Sequence, residues 1–85
     1  MADWEIRQYR TVYTDFLAMC DTALQAAIAA RLRVLRQMGN LAREPYSKPV
    51  RDGIFECRAN TNRHHARLLY CFMPEKKMVM LVQVE

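Results

Sequence analysis

The stretch "IFECRANTNRHHARLLYCFMPEKKMVMLVQV", residues 54–84, decides how this chain folds. Apolar and polar residues alternate through "IFECRA", "RHHARLLYCFM" and "KMVMLVQV", and the breaks between these runs, "NTN" and "PEKK", are short and polar enough for hairpins. The spacing predicts an antiparallel meander. Residues two apart in a strand share a face, so Phe55, Cys57 and Ala59 oppose Ile54, Glu56 and Arg58. In the next strand Ala66, Leu68, Tyr70 and Phe72 oppose Arg63, His65 and Arg67. The apolar sets read as core. Charged heads are costly to bury unpaired, so the other face is expected to stay open.

Upstream, "TALQAAIAARLRVLRQM" (22–38) places Leu24, Ile28, Leu32 and Leu35 on one helical face, and Asp21 stands at its N-cap position. Gly39 is placed to end this helix as a left-handed cap, and Arg31, Arg33 and Arg36 suit the dipole near its C-terminal end. Thr14 reads as the cap of a shorter helical piece, "DFLAMC". Before it, "WEIRQYR" (4–10) reads as a short strand with Trp4, Ile6 and Gln8 opposite Glu5, Arg7 and Tyr9. "NLAREPYSKPVRDG" (40–53), with two prolines and a closing Asp-Gly, reads as a surface loop. Helices followed by a meander give an α+β fold, an N-terminal helical hairpin packed on one face of an antiparallel sheet.

The 85 residues allow one domain, 1–85, and 52% hydrophobic with 26% charged residues is a globular composition. No apolar run approaches the roughly 18 residues of a membrane span, and "MADWEIRQYR" lacks the layout of a signal peptide, so a cytoplasmic protein is expected. Cys20, Cys57 and Cys71 form no CxxC pair and read as reduced, mostly buried thiols. Net charge is +4 but uneven: residues 31–67 carry nine Arg or Lys against three acids, and the remainder four against six. That asymmetry points to a polyanion, nucleic acid first; the plainer reading is a solvated basic surface.

On the open face, Glu56, Arg58, Arg63, His65 and Arg67 can bind a phosphodiester and stabilise charge developing on it. His65 can exchange a proton near neutral pH and Glu56 can act as a base, together a basis for metal-independent RNA cleavage by the ribose 2′-hydroxyl. The plainer reading is a cross-strand Glu56–Arg67 ion pair worth ~0.2 to 1 kcal/mol, beside a surface histidine. His64 points the other way and reads as a rim residue, Trp4 as a core or edge anchor, and Met73, Met78 and Met80 as gap fillers or part of a partner groove. Adjacent histidines on opposite faces cannot share an ion, and neither a metal nor another cofactor is expected.

"SKPVRDGIFECR", then "RHHARLLYCF", then "MVMLVQV" together resemble the RelE and HigB type of bacterial toxin, in particular its phage-derived group. The resemblance spans about residues 14–84. It implies a RelE-like, microbial RNase-like fold and a ribosome-dependent mRNA endonuclease of a type II toxin–antitoxin system, neutralised by a cognate antitoxin, often a helix-turn-helix protein. Carried over by position, Arg67 matches the arginine that contacts the scissile phosphate, Arg58 the arginine closing the preceding strand, and Lys48 a basic residue of the loop before it. Glu56 stands where some members carry a catalytic lysine, and His65 where many have a neutral or aromatic residue. Arg51 and Arg63 are read as further RNA contacts. Relatives generally continue into a basic segment and short helix that supply further catalytic groups, whereas this sequence stops at Glu85. The alternative is therefore a degenerate, non-catalytic toxin-fold protein serving as an antitoxin-binding or RNA-binding module.

Overall fold

Residues 3–85 are described by a computed structural model. The elements run β1 (Glu5–Gln8), α1 (Val12–Ala18), α2 (Thr22–Met38), a 3-10 turn (Gly39–Leu41), β2 (Lys48–Arg51), β3 (Ile54–Asn60), β4 (His65–Met73), a second 3-10 turn (Pro74–Lys76) and β5 (Met78–Val84). The sheet order is β1-β5-β4-β3-β2, antiparallel throughout except that β1 joins β5 in parallel. Both helices lie on one face.

The helical stripe packs as its spacing predicts. Leu24, Ile28, Leu32 and Leu35 are buried, and they meet Cys57, Ala59, Ala66, Leu68, Tyr70, Val79 and Leu81 from the sheet. Asp21 caps α2, its Oδ1 accepting from the Leu24 amide at 2.9 Å. Trp4, Phe55 and Tyr70 surround Phe72, with ring centroids 4.9 to 5.9 Å from it. The Tyr70 hydroxyl is buried and donates to Ser47 Oγ at 2.6 Å, tying β4 to the segment before β2. Among the described residues, no helix is long and apolar enough to cross a membrane.

Local details differ from the sequence reading. Thr14 is not the cap of α1, which starts earlier, after Thr11. The capping group comes instead from the preceding strand: Gln8 Oε1 accepts from the Tyr13 and Thr14 amides at 3.0 and 3.1 Å, and Gln8 Nε2 donates to Thr14 Oγ1. The segment 40–53 is not all loop, because Lys48–Arg51 pairs with β3 as the edge strand β2. Pro49 obscured it, yet a proline is compatible with an edge. Asp52 and Gly53, with φ 43° and 81°, form the two-residue turn between them.

Gly39 has positive φ, 56°, but with ψ −134° it is not the left-handed cap expected of it; its missing side chain makes room instead, since a Cβ there would land on the Trp4 indole. The chain then continues as a 3-10 turn before leaving the helix. A further departure lies in β5. An irregularity between Leu69 and Tyr70 pairs them with Gln83 and Leu81, so Val82 is an extra residue in β5. Residues beyond it therefore change face, and Glu85 comes opposite Arg67, with backbone bonds of 2.7 and 3.0 Å.

Candidate functional site

Arg58 and Arg67 stand directly opposite each other in the β3–β4 register, on the face away from the helices. Like charges so placed repel. Glu56 offsets this: Arg58 Nε donates to its Oε1 at 3.2 Å, and Arg67 Nη1 lies 3.6 Å from its Oε2. The Glu56 side chain is 7% exposed, while those of Arg58 and Arg67 are 62% and 44% exposed. The carboxylate is thus an internal counter-charge, and the guanidiniums present their remaining N–H groups to solvent. A second carboxylate reaches Arg67 from β5, where Arg67 Nη2 donates to Glu85 Oε1 and Gln83 Nε2 holds Glu85 Oε2 at 2.8 Å.

A groove of about 700 Å³ opens beside this pair, lined by Arg58, Asn60, His65, Ala66, Arg67 and Glu85. His65 lies opposite Asn60, and its Nδ1 is 2.8 Å from Asn60 Oδ1. Lys48 is paired with Glu56 across β2 and β3 and lines a smaller hollow of about 190 Å³ with Glu56 and Arg58. Arg51 shares a third hollow, about 300 Å³, with Arg67, Leu69 and Gln83. Because Arg58 and Arg67 each line two of these hollows, Lys48, Arg51, Glu56, Arg58, His65 and Arg67 form one continuous surface.

Arg63 is not part of it. The strand begins only at His65, so the alternation does not extend back to residue 63. Arg63 lies instead in the exposed connection, where its amide donates to Thr61 Oγ1 at 3.3 Å. His64 faces the helix side, its Nε2 3.6 Å from Asp21 Oδ2. Alternation alone did not reveal Asn60, Gln83 or Glu85. The "NTN" reading put Asn60 in the turn itself, whereas the turn is centred on residues 62 and 63 and pairs Asn60 with His65; the bulge that brings Glu85 round has no sequence mark either.

The three thiols are free, and Cys57 is buried. Burial pushes its thiol up to about 11, so it is a poor nucleophile and takes no part in the site.

Two helices on one side of a five-stranded, mostly antiparallel sheet make the fold of RelE-type toxins. Three solved structures show it. The toxin–antitoxin complex RelBE2 from Mycobacterium tuberculosis is 29% identical, with a TM-score of 0.62, over 100% of this chain and 92% of that one. The archaeal RelE–RelB complex from Pyrococcus horikoshii OT3 is 13% identical with a TM-score of 0.67, over 96% and 92%. A mutant of the E. coli toxin RelE in the free state is 15% identical with a TM-score of 0.71, over 99% and 82%. The chain belongs to the family described as phage derived protein Gp49-like (DUF891), whose sequence model matches residues 15–85. No curated protein gives a significant match.

Proposed function

We propose that this chain is the toxin of a type II toxin–antitoxin pair, a metal-independent endoribonuclease that cuts mRNA on the ribosome and so inhibits translation in the bacterial cytoplasm. The observation that carries this reading is the opposed pair Arg58 and Arg67, held side by side by buried Glu56 at the edge of a groove that also contains His65. Two anchored guanidiniums suit a phosphodiester, whose charge grows as the attacking oxygen closes on phosphorus. Lys48 and Arg51, in the flanking hollows, extend the positive surface along an RNA strand. The Gp49-like family and the RelE-type fold support the toxin role, and the antitoxin-bound relatives support a cognate antitoxin, of helix-turn-helix type, as its partner.

One observation favours a second reading. Arg67 is bracketed by Glu56 and Glu85, which is also what a structural ion-pair network looks like. In that case the chain is a non-catalytic module that binds RNA or an antitoxin. Expression in bacteria without a partner separates the two. The nuclease arrests growth and leaves new mRNA 5′ ends on ribosomes, both abolished in Arg67→Ala and Arg58→Ala. Unimpaired growth with intact transcripts would overturn the nuclease reading in favour of the binding module.

A further inference from the structure

We infer that Asn60 positions His65 as the proton acceptor of this site, leaving Nε2 free to take the 2′-hydroxyl proton of a bound ribonucleotide. The inference rests on the nuclease reading above but adds a residue, an atom and a direction of proton transfer. Asn60 and His65 are cross-strand partners, and the amide oxygen Oδ1 lies 2.8 Å from Nδ1. An amide oxygen only accepts, so Nδ1 carries the hydrogen and the lone pair of the neutral ring lies on Nε2. A histidine on a strand surface without such a partner has no fixed tautomer. Here the oriented imidazole stands in the same groove as Arg58 and Arg67, where a phosphate would sit.

The step balances without a metal. The 2′-oxygen attacks the adjacent phosphorus and gives its proton to Nε2 as the O2′–P bond forms. The P–O5′ bond breaks, the departing oxygen takes a proton from water, and the hydroxide so formed takes the proton held on Nε2, which restores the neutral ring. The products are a 2′,3′-cyclic phosphate and a 5′-hydroxyl end. Charged and titratable groups surround the ring from both sides: Arg58, Arg67 and Glu85 on the sheet, and Cys20, Asp21 and His64 across a second hollow at the start of α2. Asn60 touches no reacting atom and acts through His65.

The test has two readouts. Nitrogen NMR of the imidazoles in the whole protein reports the tautomer without any substrate. The expected result is a protonated Nδ1 and bare Nε2 on His65, lost in Asn60→Ala and kept in Asn60→Asp, which retains an acceptor oxygen. Single-turnover cleavage of mRNA on ribosomes across pH supplies the second. His65→Ala should lose about 100-fold or more, the usual weight of a general base. Asn60→Ala should lose about tenfold, a smaller effect because the ring remains. Asn60→Asp should regain rate, with its acid limb moved to higher pH by the added negative charge. If His65→Ala cleaves as fast as the unaltered protein, the inference falls while the nuclease reading stands. If the unaltered protein leaves mRNA intact, both fall. A hydrogen found on Nε2 rather than Nδ1 overturns the inference whatever the activity.

Discussion

At Glu56 a carboxylate almost out of solvent faces two guanidiniums, so its charge matters more than its size. Glu56→Gln keeps the shape and leaves Arg58 and Arg67 opposed without their shared counter-charge. Stability should fall by about 1 to 3 kcal/mol, as for a charged hydrogen bond lost at a buried site, read from the urea midpoint. Non-specific RNA binding should tighten in the same variant. An unmoved midpoint would mean that Glu85 and solvent already compensate. Tyr70 and Cys57 give a second test. Burial pushes the Tyr70 phenol up to about 12 and the Cys57 thiol up to about 11. Both folded values lie above those of the unfolded chain, so the folded form holds its protons longer. The associated stability is whole below the ordinary thiol and phenol ranges and is lost as pH rises through about 11 and about 12. Alkaline unfolding followed by circular dichroism should therefore be shallower in Tyr70→Phe, which at neutral pH gives up the bond to Ser47 and a longer one to the Glu56 carbonyl, about 1 kcal/mol for the first. At this scale, strand alternation placed Glu56, Arg58 and Arg67 correctly and misplaced Arg63, because periodicity shows which side a residue takes but not where a strand begins.

Among the elements, α2 was the most legible, since four apolar residues at helical spacing and an aspartate cap all specify the same segment. Leu35→Ala should cost about 2 to 5 kcal/mol, measured by denaturation, because Leu35 is fully buried beneath the sheet. Its end is governed by two constraints that sequence shows only in part. Gly39→Ala must adopt a positive φ and also displace the Trp4 indole, so it should destabilise by roughly 2 kcal/mol or more. In a Trp4→Ala background the same change should cost less, because only the backbone strain remains; equal costs in both backgrounds would rule out the collision. The strand β2 and the cap of α1 escaped reading for a common reason. Each depends on a partner distant in sequence, β3 for a proline-bearing edge and Gln8 for a helix start, and local propensity carries no trace of such partners. The bulge at Val82 belongs with them, since only the completed ladder shows that one extra residue turns Glu85 toward Arg67.

Over the whole molecule, the sheet face away from the helices gathers four cations. The surface carrying Lys48, Arg51, Arg58 and Arg67 is expected to hold RNA through phosphates, so affinity should fall steeply with salt. Each of Arg58→Ala and Arg67→Ala should reduce the slope of log affinity against log salt by roughly 0.7, the value for one single-strand phosphate contact. A slope unchanged in both variants would place the RNA elsewhere. The overall α+β plan was readable because the meander and the helical stripe are each periodic; the parallel seating of β1 was not, since a short amphipathic strand fits any open edge. That seating has a consequence in time. β1 is made before the other strands and has a strand partner only in β5, which is made after them, so the sheet cannot close until β5 has left the ribosome tunnel. Residue 85, which meets Arg67, emerges later still. Until both have emerged, β1 has no strand partner and the arginine cluster is unfinished, so the machine proposed as the target meets this chain first without its assembled surface.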